Sequence, residues 1–175
     1  MLSIDLRSLH ERAAIVDGDV SADDPAWQEG DTLPEGAVHV SGRVSAAGED
    51  RYYWHGTLTG TVAIPCRRCL TPTTAAVENE FHLILVEDGT EGIEDDPDAF
   101  VIPAGAHEAD LAPIVREQWV LDAPQFLLCR EDCKGLCPTC GADLNAGDCG
   151  CKPAPKVTGV DPRWDALRKL GGESR

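Results

Sequence analysis

The sequence RYYWHGTLTGTVAIPCRRCL, residues 51–70, combines two patterns that decide the fold and the chemistry of this chain. Residues 51–64 alternate between apolar and polar side chains, which is the period of a half-buried β-strand. A cysteine pair in Cys-x-x-Cys spacing follows directly. One face of the strand should therefore be buried, and that face carries Tyr52, Trp54, Leu58, Val62 and Ile64.

Two further stretches with the same alternation flank this strand. VHVSGRV, residues 38–44, is separated from it by the turn-forming residues AAGED, which predicts a hairpin. TTAAVENEFHLILV, residues 73–86, follows the cysteine pair. We therefore expect an antiparallel β-sheet or meander with one buried face. Residues 17–36 are rich in Asp, Pro and Gly, and we predict that they form a loop.

Helical spacing replaces strand spacing later in the chain. Residues 110–122 are predicted to form one amphipathic helix, whose apolar stripe is Leu111, Ile114, Val115 and Trp119. A second, short helix is expected in DPRWDALRKLGG, residues 161–172, because Asp-Pro begins helices and glycine ends them.

These patterns predict an α+β fold with two parts. Residues 1–128 should form an acidic antiparallel sheet domain that includes the helix 110–122. Residues 129–175 should form a cysteine-rich, zinc-ribbon-like appendage that ends in the short C-terminal helix.

The chain has eight cysteines, and all of them occur in closely spaced pairs. In a reducing compartment such pairs are metal ligands far more often than disulfides. A tetrahedral zinc site takes four thiolates, so eight cysteines predict two complete zinc sites. The pairs are Cys66 with Cys69, Cys129 with Cys133, Cys137 with Cys140, and Cys149 with Cys151.

The pairs can be joined in more than one way. The favoured grouping places Cys137 and Cys140 with Cys149 and Cys151, because the loop between them is short. Cys66 and Cys69 would then share a site with the Cys129 and Cys133 pair. The alternative joins Cys66 and Cys69 to the Cys137 and Cys140 pair, since spacing limits the pairing without deciding it.

Both zinc sites are expected to be structural, because four thiolates leave no open position for water or substrate. Arg67 and Arg68 lie between the first two ligands and should either offset thiolate charge or contact RNA or a protein partner. The five histidines stand apart in the sequence and are predicted to be ordinary surface or core residues. With no phosphate loop and no catalytic triad pattern, we expect a protein that is not an enzyme.

The charge of the chain is strongly negative and unevenly distributed. The formal net charge is -16. Residues 129–175 hold eight Lys or Arg against seven Asp or Glu, so residues 1–128 carry -17. Seven carboxylates lie within residues 87–98, a run that is either a solvated loop or a docking surface for a basic partner. The candidate docking residues are Glu94, Asp95, Asp96 and Asp98.

The expected location is the cytoplasm. The first residues, MLSIDLRSLH, have no apolar core of the signal-peptide kind. The sequence also has no apolar run long enough to span a bilayer as a helix.

Together, PCRRCL before a strand, the acidic insertion, the amphipathic helix, LCREDCKGLCPTCGADLN, the late Cys-x-Cys and DPRWDALRKL resemble the YceD family. These are the large ribosomal RNA subunit accumulation proteins of bacteria and plastids. The resemblance covers about residues 38–170. It implies a non-enzymatic factor for assembly of the large ribosomal subunit or processing of its rRNA, with a basic ribosomal protein or a subunit precursor as partner.

Two competing functions remain open at the level of sequence. One is a zinc-ribbon module for protein–protein interaction in transcription or proteolysis. The other is direct RNA binding, which the negative charge disfavours because few phosphates can be neutralised.

Overall fold

A computed structural model of the protein describes residues 2–48, 50–90 and 99–151. The chain forms seven strands and one α-helix in this part, together with a 3-10 helix at Leu6–His10. The strands are β1 (Ser3–Asp5), β2 (Ala14–Ser21), β3 (Ala37–Gly48), β4 (Arg51–Pro65), β5 (Pro72–Glu87), β6 (Ala99–Ile102) and β7 (Glu108–Asp110), and the helix is α1 (Ala112–Asp122).

The main sheet has five strands in the order β2-β3-β4-β5-β6. The first four are antiparallel neighbours, as the alternating sequence predicts. Strands β1 and β7 pair separately as a small antiparallel sheet. The α+β prediction of an antiparallel sheet with one helix is therefore confirmed for strands β2 to β5 and the helix.

The buried face of the main sheet forms the core. Its side chains come from alternate positions of β2 to β5, the period expected for a sheet with one covered face. Trp54 is fully buried and meets Phe81 edge to face, with ring centroids 4.9 Å apart. Strands β2 to β5 contribute the following residues to this core: Val16, Val20, Val38, Val40, Val44, Tyr52, Trp54, Leu58, Val62, Val77, Phe81, Leu83 and Leu85.

Helix α1 covers this face through the predicted apolar stripe. Ile114, Val115 and Trp119 are all buried. The ring of Trp119 lies directly over Gly60 of β4, where an added Cβ would come within 2.7 Å of the ring. Gly60 is therefore the residue that leaves room for the tryptophan.

The same helix holds the loop between β2 and β3. Arg116 forms a bidentate ion pair with Asp31, with nitrogen–oxygen distances of 2.7 and 2.8 Å. The indole N–H of Trp119 donates to the carbonyl of Thr32 at 2.7 Å. The hydrogen bonds from Arg116 are the main cause that lowers the pKa of Asp31. This loop is thus fixed by polar contacts as well as by packing.

Two details of the predicted sheet are wrong. Residues 17–21, predicted as loop, belong to β2, because Val16 and Val20 are buried and the intervening Asp17 and Asp19 point to solvent. Asp17 and Asp19 favour a loop in the sequence, although they occupy the exposed positions of an alternating strand. In addition, β6 pairs with β5 in parallel, so the sheet is mixed.

The chain divides into two compact units, residues 1–133 and 134–175. Cys129 and Cys133 thus belong to the unit that contains the sheet, and the division falls five residues after the predicted boundary at 128. In residues 134–151, the part of the second unit that is described, the β pairing is an isolated bridge between Leu136 and Asp143. A zinc ribbon there stays a prediction.

Two predicted features lie outside the described residues. These are the acidic docking residues within 91–98 and the C-terminal helix at 161–172. Among the residues that are described, no helix has the length and apolarity needed to cross a membrane.

Replacing Trp119 with alanine should lower the free energy of unfolding by about 3–5 kcal/mol, because a fully buried ring is lost above Gly60. Urea unfolding followed by fluorescence or circular dichroism measures this change. Leu121→Ala on the same helix is the matched control, since Leu121 is 71% exposed and should change stability by less than about 0.5 kcal/mol. Equal effects of the two substitutions would contradict this account of the core.

Candidate metal centres

The first cysteine pair lies in the turn that joins β4 to β5. Pro65 and Pro72 are the last paired residues of the two strands, so Cys66 begins where the ladder ends. The amide of Leu70 donates to the carbonyl of Cys66 at 2.8 Å and closes the turn. Within it, the amide of Arg68 points at Cys66 Sγ at 3.5 Å. This turn brings both sulfurs to one side.

The segment after helix α1 supplies the other two ligands of this site. The amide of Arg67 donates to the carbonyl of Leu127 at 2.9 Å, which aligns that segment beside the cysteine turn. Cys66 Sγ then lies 3.8 Å from Cys133 Sγ, and Cys69 Sγ lies 3.6 Å from Cys129 Sγ. The four sulfurs all lie within 4.8 Å of one another.

The second unit holds the remaining cysteines in a similar cluster, with their sulfurs also within 4.8 Å of one another. Cys137 and Cys140 form a turn in which the amide of Thr139 points at Cys137 Sγ at 3.4 Å. Gly150 separates Cys149 from Cys151 and has a φ of 72°, the left-handed bend that the sequence requires there. The structure therefore groups the cysteines as the sequence argument favoured.

The two Cys-x-x-Cys turns share one geometry but end in different residues. Gly141 follows the second turn with a φ of 73°, and its amide donates to the carbonyl of Cys137 at 2.9 Å. Leu70 occupies the same place after the first turn with a φ of 62°, a conformation that favours glycine. Its side chain is 62% exposed, so core packing does not explain the leucine.

Backbone amides prepare one thiol of each cluster for metal binding. The amide of Cys129, followed by those of Cys69 and Arg68, lowers the pKa of Cys66 to about 6 despite its burial. The amides of Cys140 and Thr139 lower the pKa of Cys137 to about 6 in the same way. Such N–H groups stabilise the thiolate, which is the form that binds metal.

Another thiol of each cluster holds its proton. Interaction with Cys69 is the main cause that raises the pKa of Cys129 to about 12. Interaction with Cys140 likewise raises the pKa of Cys151 to about 12. Four thiolates this close repel one another, so a cation is needed to hold all of them deprotonated.

The donor sets fit zinc. A zinc–sulfur bond of about 2.3 Å in a tetrahedron separates the sulfurs by roughly 3.8 Å, which matches the closest pairs of the first cluster. Each cluster would hold one ion with four thiolates. Zinc bound in this way supplies cross-linking and no open coordination position. The clusters thus suit a structural role.

Arg67 and Arg68, predicted together as contact residues, have different surroundings. Arg68 donates to the carbonyls of Cys133 at 2.8 Å and Glu131 at 3.3 Å, so it fastens the Cys129–Cys133 segment to the first turn. Arg67 is exposed and lies over the ring of Phe126, 6.0 Å from its centroid. Phe126 is 70% exposed and was not anticipated from the sequence.

The expectation that the histidines stand apart is wrong for two of them. His55 of β4 and His82 of β5 are direct cross-strand partners, and their rings stack with centroids 4.5 Å apart. Glu80 lies beside them on the same face, with Oε1 2.6 Å from His55 Nε2. Glu-x-His at 80–82 was a visible pattern, but its relation to His55 depends on strand register.

Replacing Cys66 with serine should release the metal of the first site and leave the second site filled, because the two clusters share no ligand. Elemental analysis should fall from two zinc ions per chain to one. Cys137→Ser is the reciprocal control and should empty the other site. Labelling of Cys137 or Cys140 by a thiol reagent in the Cys66→Ser variant would contradict the grouping.

Replacing Arg68 with glutamine should weaken zinc binding at the first site by about 10–100-fold, the usual loss when a group that orients the ligands is removed. The cause is the loss of its hydrogen bonds to the carbonyls of Glu131 and Cys133. Zinc transfer to a chelator of known affinity measures the change. Arg67→Gln is the matched control and should leave zinc affinity unchanged; equal losses would contradict the separate roles.

One protein family matches this chain. The family model described as large ribosomal RNA subunit accumulation protein YceD matches residues 54–171, more than half of the chain, and spans both cysteine clusters. No solved structure matches.

Three relatives illustrate the range of similar proteins. A maize protein described as large ribosomal RNA subunit accumulation protein YCED homolog 1, chloroplastic, is 30% identical over 135 residues, which cover 61% of this chain and 46% of the relative. An uncharacterised Mycobacterium tuberculosis protein is 34% identical over 125 residues, covering 67% and 56%. Uncharacterised protein YlbN of Bacillus subtilis is 30% identical over 134 residues, covering 76% and 73%.

The chain spans about half the length of the maize and mycobacterial relatives. The family model covers most of β4, all of β5, β6, β7 and α1, and all eight cysteines, and it begins after β1, β2 and β3. On this match the chain belongs to the YceD family.

Proposed function

We propose that this protein is a non-enzymatic cytoplasmic factor that supports accumulation of the large ribosomal RNA by binding a basic ribosomal protein during subunit assembly. The family match is the main support for this role, because its description names large ribosomal RNA subunit accumulation. The two thiolate clusters support a binding role, because closed sites stabilise a surface and offer no position for catalysis.

The charge of the chain supports a basic protein as the partner. Residues 1–128 carry a formal charge of -17, which attracts a cationic partner and repels a phosphate backbone. A protein that binds ribosomal RNA is rich in Lys and Arg, and this positive charge must be covered until the protein reaches the RNA. An acidic surface provides this cover and speeds the encounter.

An apolar cleft offers the hydrophobic part of such an interface. It lies beside β6, β7 and α1 with a volume of about 400 Å³, and Phe100, Val101 and Ile114 line it. Val101 is 61% exposed. Three exposed carboxylates also line it: Glu108, Asp110 and Glu117. A cleft with both apolar and acidic side chains is complementary to a basic amphipathic segment.

Two other regions can be compared with this cleft as the hydrophobic anchor. The aromatic face near Trp54 cannot bind a partner, because Trp54 is fully buried against Phe81. The zinc-binding appendage remains a second candidate for anchoring.

Direct RNA contact is the second candidate function. Arg67 over the exposed ring of Phe126 is the pairing on which an unstacked base can lie. The zinc-ribbon interaction module in transcription or proteolysis is the third, and it predicts no association with ribosomal precursors. Co-sedimentation of the protein with large-subunit precursors in low salt, lost in high salt, would favour the ribosomal role over that module.

Neutralising Glu94, Asp95, Asp96 and Asp98 together should weaken binding to a basic ribosomal protein by about tenfold and reduce its salt dependence, because four favourable charges are lost. Titration calorimetry at two salt concentrations measures both effects. A variant with four other exposed carboxylates neutralised controls for total charge, and it should retain most of the affinity: Glu11→Gln, Asp17→Asn, Glu29→Gln, Glu35→Gln.

The opposite result has a clear form. Tight binding of naked ribosomal RNA, with a salt dependence that reports six or more phosphate contacts, would overturn the proposal in favour of RNA recognition. Loss of that RNA binding in Phe126→Ala, with both zinc ions retained, would then place the contact beside the first cysteine turn.

A further inference from the structure

The outer face of the main sheet carries a cluster of metal-ligand side chains that is separate from the cysteine sites. His55 on β4 and His82 on β5 are directly opposed across the antiparallel ladder. Glu80 lies two residues before His82 on the same face of β5. Opposed side chains on neighbouring strands have Cβ atoms about 4.5–5.5 Å apart, so short side chains there can meet at one point.

The distances show that the three side chains converge. His55 Nε2 lies 2.6 Å from Glu80 Oε1, and His82 Nε2 lies 3.9 Å from the same oxygen. One ligand atom from each of the three residues lies within 4.8 Å of the others. The two rings lie nearly parallel and must turn about χ1 and χ2 before both Nε2 lone pairs can point to one ion. All three side chains are about half exposed, so this turning costs little packing energy.

Tyr53 gives His82 the support that metal-binding histidines usually have. Its hydroxyl lies 2.5 Å from His82 Nδ1. A histidine that binds metal through Nε2 carries its proton on Nδ1, and a hydrogen-bond acceptor there fixes the tautomer and the ring. The hydroxyl oxygen of Tyr53 is such an acceptor.

We propose that His55, Glu80 and His82 form an open site for a divalent transition metal ion of the class that includes zinc, nickel and copper. Two imidazoles and one carboxylate suit these ions and do not suit magnesium or calcium, which prefer oxygen alone. Three protein ligands leave at least one coordination position for water or a partner's side chain. The site therefore differs in kind from the two closed thiolate clusters.

The surroundings contain charges of both signs. Glu78 and Glu80 lie on the outer face of β5, and residues 1–128 are strongly negative as a whole, which favours a bound cation. Arg43 of β3 is the cross-strand partner of His55, and its positive charge disfavours a bound cation. An ordinary hydrogen-bonded network of surface side chains is the competing explanation, and it binds no ion.

The outer face also offers a matched control. His39 is an exposed histidine of β3 that contacts one carboxylate, Asp19, at 3.0 Å. It has the same exposure and a similar ion pair, with side-chain exposures of 47% for both His39 and His55. It belongs to none of the described three-residue clusters of ligand atoms.

The test uses the full chain with its cysteine sites already filled with zinc. Zinc is titrated into this protein at neutral pH by calorimetry, and nickel is titrated while the histidine ring resonances are followed by NMR. We expect one saturable equivalent of zinc beyond the cysteine sites, and broadening by nickel of the His55 and His82 resonances before that of His39.

The variants separate the two explanations. His55→Ala and His82→Ala should abolish the additional equivalent, while His39→Ala should retain it in full. Tyr53→Phe should weaken it by about tenfold, because the supporting acceptor is lost. Unchanged circular dichroism and zinc content at the cysteine sites show that each variant is folded.

Two results would overturn the proposal. One is the absence of any additional equivalent in the unmodified chain, together with equal broadening of all histidine resonances by nickel. The other is an additional equivalent that persists in both His55→Ala and His82→Ala. Neither result bears on the proposed ribosomal role.

Discussion

Antiparallel pairing of β4 with β5 runs without interruption from Arg51 opposite Val86 to Pro65 opposite Pro72, and the rest of the structure depends on this register. It places Trp54 and Phe81 on the inner face, and His55 opposite His82 on the outer face. A shift of one residue would exchange the two faces and remove the core. The register also places Cys66 directly after the last paired residue of β4, where a tight turn can begin.

The first cysteine cluster links this hairpin to a distant part of the chain. Cys69 and Cys129 are sixty residues apart in sequence, and their sulfurs are 3.6 Å apart. A metal ion bound here would close a long loop and join the end of the sheet to the segment that follows α1. Arg68 reinforces that link through two carbonyls. Arg67, Leu70 and Phe126 remain exposed beside it, so a rigid turn presents side chains that the core does not use.

The surfaces of the first unit have distinct chemistry because its sheet is covered on one side. The inner face is apolar and filled by α1, with Gly60 making room for Trp119. The outer face bears paired histidines and carboxylates. The cleft beside β6, β7 and α1 is lined by both apolar and acidic side chains. The proposed binding of a basic partner would use the acidic and the apolar surfaces together.

The sequence by itself determined the local elements and the ligand count. Period-two alternation predicted β3, β4 and β5, the apolar stripe from Leu111 to Trp119 predicted α1, and cysteine spacing predicted two four-thiolate sites, because each of these depends on residues close in the chain. Only the tertiary structure decided what depends on distant residues. It revealed β2, whose aspartates face solvent while its valines complete the core, and the parallel pairing of β6. It also gave Arg67 and Arg68 different surroundings and brought His55, Glu80 and His82 together. These contacts depend on strand register and on where distant segments meet, and both are set by packing of the whole sheet.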